Sequence, residues 1–192
     1  MEGRIETKRV IILVEIALAA ALAIALSMLK LYRLPQGGSL SLEMIPVFYI
    51  AIVHGGVAGC AAGLLMGIGQ LFFGAYIVHP VQLVLDYPLA FTLLGVGGFL
   101  STLIPIRKAD ETFDYKRVVL VSILVATLGS LLRYIVHVVS GVVFFAQYAP
   151  EGSSVLIYSI VYNAGYMVPN FILSVVLVAP LVMARGTLGR KM

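Results

Sequence analysis

Apolar residues run through this chain in long, nearly unbroken blocks, at roughly 10–31, 44–54, 55–73, 80–104, 118–147 and 154–184. Blocks of about 20 apolar residues are long enough, as helices, to cross a hydrocarbon core of roughly 30 Å. Strands of a membrane barrel would instead alternate polar and apolar positions over about ten residues. The second and third blocks are short and meet at His54-Gly55-Gly56, which reads as a tight turn. The pattern predicts an all-α integral membrane protein: one six-transmembrane-helix bundle over residues 1–192.

Composition agrees. The chain has 192 residues, of which 61% are apolar and 11% charged, with mean hydropathy +1.06. A soluble domain is about 25% charged. The basic residues orient the bundle. Arg4, Lys8 and Arg9 precede the first span, Arg107, Lys108, Lys116 and Arg117 lie between the fourth and fifth, and Arg185, Arg190 and Lys191 follow the sixth. With six spans these ten of the 13 Lys and Arg residues fall on one side, predicted to be cytoplasmic together with both termini. Lys30 and Arg33 fall on the other side, and Arg133 is embedded. The first apolar run lacks a small-residue cleavage site and is expected to remain as a span. Cys60, in a run of small residues, reads as a packing position.

The polar residues inside these blocks carry the candidate chemistry. Ala17, Ala21 and Ala25 recur every four residues on one face of the first span. Such a stripe allows close helix approach, either to a helix of the same chain or to another membrane subunit. The loop that follows, rich in Gly and Ser, is a candidate lid. Ser41 can cap the second span, placing Glu43 either in its first turn or facing a ligand. His79-Pro80 opens the fourth span, with His79 expected at the interface. Asp86 lies about 9 Å deeper at 1.5 Å per residue, beside Pro88, which is expected to kink the helix. A carboxylate there needs Arg133, a hydroxyl or a cationic ligand as partner. Arg133, His137 and Gly141 share a helix face. Asn163, Tyr166 and Asn170 share another, and Asn170 reads as an interhelical hydrogen-bonding residue. The chain has no P-loop, zinc-ligand spacing or GxSxG elbow. No metal, cofactor or nucleic-acid partner is expected.

Taken together, EIALAAALA, Glu43 after the first external loop, GAYIVHPVQLVLDYPLAF, RYIVHVVSGVVFFAQYA and IYSIVYNAGY resemble the thiamine-specific substrate-binding subunits (S components) of energy-coupling factor (ECF) transporters, over nearly the whole chain. The resemblance implies six helices with a vitamin site near the extracellular side, under the first external loop. It implies a high-affinity binding subunit of an ABC-type importer in the bacterial cytoplasmic membrane, not an enzyme. Its partners would be a transmembrane coupling protein, onto which Ala17, Ala21 and Ala25 dock, and two cytoplasmic ATPases. The implied substrate residues are Glu43, Tyr76, Asp86, Tyr87, His137, Gly141, Phe145, Tyr158 and Asn163, with Arg133 where the family commonly has a basic residue.

Thiamine suits these side chains. Its thiazolium cation fits carboxylates at Glu43 and Asp86. Its rings fit Tyr87, Phe145 or His137, with cation–π attraction of roughly 0.5–2 kcal/mol. Its aminopyrimidine fits the amide of Asn163 and the hydroxyl of Tyr158, and Gly141 is expected to let a ring approach the backbone. The chain has no tryptophan, whereas the family's site uses tryptophans around the rings. Ser39, Met66 and Phe145 stand at those places, and Asp86 replaces a glutamate. A thiamine precursor, such as a hydroxymethyl-pyrimidine or a thiazole, is therefore the alternative ligand. Two other classes compete less well: an intramembrane enzyme with His137 and Asp86 as acid–base pair, and a stand-alone carrier, against which the lack of a visible inverted repeat counts.

Overall fold

The computed structural model describes residues 2–108 and 112–188, without the side chains of 2–5 and 186–188. Of the basic residues used for orientation, Arg190 and Lys191 lie outside the described residues, as does the side chain of Arg4. Residues 109–111 of the loop before the fifth block also lie outside them.

The architecture is helical. Helix α1 (Glu2–Met28) leads into a small hairpin of strands β1 (Tyr32–Arg33) and β2 (Ser39–Leu40), then α2 (Met44–His54) and α3 (Gly56–Gln70). The fourth apolar block becomes α4 (Pro80–Leu103), followed by α5 (Tyr115–Phe144) and α6 (Val155–Leu188). Four segments are long and apolar enough to cross a membrane: Glu6–Met28, Pro80–Leu103, Tyr115–Phe144 and Val155–Arg185. Helices α2 and α3, with 11 and 15 residues, are shorter. At 1.5 Å per residue they reach about 16 and 22 Å. The first block stops being helical at Met28, short of the expected 31, because Leu31 already pairs with Leu40 in the hairpin (Leu31 N to Leu40 O, 2.9 Å).

Local chemistry explains the breaks. Gly55, at φ 87°, closes α2 through its N–H to Ala51 O and allows α3 to start at the next residue. Helix α4 is composite. Pro88 has no N–H to give the preceding turn, and the chain widens into a π turn over Leu85–Leu89 before resuming as α-helix over Ala90–Leu94. The His79 Nδ1 accepts Val81 N and caps its start, while Asp114 caps α5 by accepting Lys116 N and Arg117 N. Small residues bring backbones together. Gly63 and Gly67 lie against the Phe91 and Tyr87 carbonyls of α4, where a Cβ would collide.

Phe48, Ala51, Phe91, Leu94, Val121, Val125 and Val178 form the core. Many large apolar side chains face outward instead, among them Leu18, Leu22, Val139, Val143, Val161 and Val176, each about half or more exposed. A surface this apolar belongs in lipid. At the end of the molecule opposite the hairpin, Glu15 takes a bidentate pair from Arg185 (2.6 and 3.0 Å) and a contact from His54 (2.6 Å), joining α1, α2 and α6.

Candidate functional site

Beneath the hairpin lies a cavity of about 370 Å³, bounded by the ends of α1 and α3, the start of α2 and α4–α6. Small-molecule sites occupy about 300–1,000 Å³. All ten residues singled out as substrate-binding candidates line it: Glu43, Tyr76, Asp86, Tyr87, Arg133, His137, Gly141, Phe145, Tyr158 and Asn163. They come from α4, α5, α6, the α3–α4 loop and the residues next to α2 and α5, Glu43 just before α2 and Phe145 just after α5.

The floor is a continuous chain of polar contacts. Gln70 Nε2 donates to Glu43 Oε2 at 2.9 Å, and Arg133 Nη2 pairs with Glu43 Oε1 at 3.0 Å. Arg133 Nε donates to His137 Nε2 at 3.1 Å, and its guanidinium lies 4.0 Å from the Phe91 ring centre. His137 Nδ1 meets Asp86 Oδ1 at 3.1 Å, and Gln82 Nε2 donates to Asp86 Oδ2 at 2.6 Å. Because Nε2 of His137 accepts from an arginine, its proton sits on Nδ1 and points at Asp86. The imidazole is thus neutral. Two carboxylates then face one guanidinium, leaving the floor with one net negative charge. Burial makes that charge valuable to a cation and costly without one.

At two positions the structure chooses between alternatives the sequence left open. Arg133 pairs with Glu43, not with Asp86, whose partners are His137 and Gln82. Glu43 does not place its carboxylate on the α2 amides; it makes no side-chain cap and turns into the cavity, while its own N–H reaches Ser41 Oγ at 3.4 Å. Gly141 serves helix packing: a Cβ there would collide with Ser159 Oγ, which donates to Val138 O at 2.9 Å. Asn163 spends its amide internally, donating to Ser159 O at 2.9 Å and accepting from Tyr166 OH at 2.7 Å.

The walls and roof are aromatic. Tyr76 stacks on Phe145 with ring centroids 6.0 Å apart, Phe145 lies 6.2 Å from Tyr148, and the two tyrosine hydroxyls meet at 3.0 Å. Tyr87 OH receives the Tyr76 N–H at 2.6 Å. Tyr158 stands beside Tyr162 at 6.0 Å. Ser39 lines the cavity as Phe145 does, whereas Met66 is fully buried and is not among the lining residues.

The hairpin is held closed from α6. Tyr162 OH donates to Pro35 O and accepts the Gly38 N–H at 3.1 Å. Asn170 accepts Ser41 N at 3.0 Å and donates to Ser39 O at 2.8 Å, so its expected interhelical role is instead a tether for the hairpin. Gln36 and Gly37 turn the chain with φ of 59° and 98°, and Gly37 sits against Tyr76.

Gln70, Gln82, Tyr162, Lys30 and Arg33 also line the cavity and were not among the sequence candidates. Gln82 was accessible to pattern reading, being one helical turn before Asp86. Gln70 was accessible as a lone amide at the end of an apolar block. Among the described residues no group of three or more His, Cys, Asp or Glu side chains converges as a metal-binding set.

Comparison with known proteins adds an independent line. Residues 13–189 match the model of the family described as thiamine transporter protein. The thiamine transporter ThiT of Bacillus subtilis is 41% identical over 181 residues, covering 93% of each chain. ThiT of Lacticaseibacillus paracasei is 30% identical over 178 residues, covering 91% of this chain and 88% of its own. The solved structure of ThiT from Listeria monocytogenes superposes with a TM-score of 0.82 at 34% identity, covering 92% of this chain and 96% of that one.

Proposed function

The chain belongs to the thiamine transporter family, and from that premise we propose that it binds thiamine in the cavity beneath the hairpin. It is a multi-pass protein of the bacterial cell membrane and a transporter, not an enzyme. The observation that carries the substrate assignment is the charge of the floor. Glu43, Arg133, neutral His137 and Asp86 leave one negative charge buried under aromatic walls. A flat organic cation answers both features. The thiazolium and the pyrimidine amino group face Asp86 and Glu43, the rings lie along Tyr76, Phe145 and Tyr158, and the hydroxyethyl tail points to the hairpin.

The transport role extends this reading. Six crossings with both termini cytoplasmic would put the cavity on the extracellular side, where a scavenged vitamin arrives. Support comes from Lys8, Arg9, Arg107, Lys108, Lys116, Arg117 and Arg185, which six crossings would put on one side, and from the Glu15–Arg185 cluster at the end away from the cavity. The subunit then delivers thiamine through an ECF coupling protein driven by two cytoplasmic ATPases. Ala17, Ala21 and Ala25 are exposed on α1, while Ile16, Ala19, Ala20 and Ala23 supply its inward face. Packing within the chain therefore does not use the stripe, which favours docking of a second membrane subunit.

Calorimetry on the purified protein tests the assignment. One thiamine per chain is expected at submicromolar concentration. No heat at micromolar thiamine, or tighter binding of a hydroxymethyl-pyrimidine or thiazole than of thiamine, would overturn it.

A further inference from the structure

The lipid-facing surface of α1 does not stop where the helix stops. Leu18 and Leu22 face outward along it, and its membrane-length stretch ends at Met28. Beyond that end Met28, Leu29, Leu31 and Tyr32 are each more than half exposed. Helix α3 finishes alongside, with Gly69 against Ile24, and the two residues past its last turn, Phe72 and Phe73, are also more than half exposed. Six large apolar side chains are thus left open at the leading arm of the hairpin. Lys30 and Arg33 are set among them, and among the described residues neither makes an ion pair or hydrogen bond.

The chemistry of this patch selects its occupant. Water would leave all six apolar groups wet. A packed helix favours small residues, such as the alanines lower on α1, over long flexible side chains. Bulky apolar groups, a tyrosine and long basic stems together match the edge of a bilayer, where the apolar parts enter the acyl region and the cationic heads reach the phosphates. The arm lies directly past the end of a stretch long enough to cross the hydrocarbon core, so it sits at that edge. The other arm of the hairpin is already held from α6, by Tyr162 at Pro35 and Gly38 and by Asn170 at Ser39 and Ser41. The leading arm has no such tether.

We propose that Met28–Arg33, with Phe72 and Phe73, anchors the hairpin in the bilayer, and that Lys30 and Arg33 hold the headgroup phosphate of an anionic phospholipid. Arg33 engages the phosphate oxygens as a planar fork, and Lys30 adds a point charge. The hairpin is then fixed on one side by α6 and on the other by lipid, so that anionic lipid slows escape of whatever the cavity holds. This last consequence rests on the thiamine reading above; the seating in lipid does not.

The chain has no tryptophan, so Tyr32→Trp places a single indole on the arm. The full-length protein is studied in nanodiscs of phosphatidylcholine alone or mixed with phosphatidylglycerol. The indole is expected to be quenched by phosphatidylcholine brominated on its acyl chains and little by iodide in the water. Native mass spectrometry should show phosphatidylglycerol retained by wild type, at least threefold less by Lys30→Ala/Arg33→Ala, and again by Lys30→Arg/Arg33→Lys. Thiamine should leave wild type at least threefold more slowly in the mixed bilayer than in phosphatidylcholine, an advantage that shrinks with salt. The alanine variant should show one rate in both bilayers, and comparing two bilayers within one variant cancels any change in the cavity itself. Quenching by iodide and not by brominated lipid, or phosphatidylglycerol retention unchanged in the alanine variant, would overturn the anchor. A dimer mass that Tyr32→Ser abolishes would assign the patch to a second copy and overturn it equally. A wild-type dissociation rate that ignores phosphatidylglycerol would overturn the hold on the hairpin. Absence of thiamine binding would refute the parent reading, while quenching and lipid retention, which need no thiamine, decide the anchor on their own.

Discussion

Asp86→Asn is the most informative single substitution in the floor, because it removes a charge with almost no change of shape. The carboxylate receives His137 Nδ1–H on one oxygen and Gln82 Nε2–H on the other. An asparagine keeps only one acceptor, so one orientation sets its amide against Gln82 and the other against His137. Gln82 does not turn over freely, since its Oε1 accepts Val78 N at 3.1 Å and its Nε2 also donates to Tyr76 O at 3.1 Å. The structural loss is one hydrogen bond, about 1 kcal/mol of stability. The loss in binding is larger. A ligand cation about 5 Å from the carboxylate gains about 3 kcal/mol at an effective dielectric of about 20, and about half that if water shares the cavity. Thiamine affinity is therefore expected to fall about tenfold to a hundredfold. The assay is calorimetry with thiamine and with a neutral isostere whose ring nitrogen is replaced by carbon. Asparagine should weaken thiamine selectively and narrow the gap between the two ligands. Equal weakening of both, or unchanged thiamine affinity in a folded variant, would refute the electrostatic account.

Three other substitutions probe separate parts of the structure. Asn170→Ala removes the tether to Ser39 and Ser41 and is expected to speed thiamine dissociation severalfold in stopped-flow measurements, with little change in association. Gly141→Ala forces a methyl group into Ser159 and is expected to cost about 1–3 kcal/mol, read as a lower melting temperature in detergent; an unchanged melt would contradict the packing role. Ala21→Trp adds bulk to an exposed position on α1 and is expected to abolish uptake and co-purification with the proposed coupling subunit while leaving thiamine affinity intact. Loss of binding in that variant would show that the stripe packs within the chain.

Much of this was written in local sequence. Long apolar blocks located the helices to within about four residues, except that α1 starts eight residues before its block, since the length needed to cross lipid leaves little freedom. Pro88 signalled a break in α4, but whether it would appear as a bend or as the π turn now seen depends on packing against the glycines of α3. The side chains of the site were also legible, because ionisable groups in an apolar block stand out. Their pairing was not. Glu43 and Arg133 are 90 residues apart, and nothing local distinguishes that pair from Asp86 with Arg133. Asn163 read as a ligand group for the same reason, although its amide serves the backbone of its own helix and Tyr166. The alanine stripe had two readings until the exposures of neighbouring residues showed which face of α1 looks inward. Lys30 and Arg33 entered only as charges on the other side of the membrane, and it is the fold that brings both to the cavity.

The central claim is that the charged floor beneath the hairpin holds thiamine, and native mass spectrometry of the detergent-extracted protein tests it most directly. Protein from cells grown with thiamine should carry one adduct of thiamine mass, and Asp86→Asn should lose most of it. A ligand-free wild-type spectrum after thiamine addition, or an adduct of unrelated mass at full occupancy, would contradict the account.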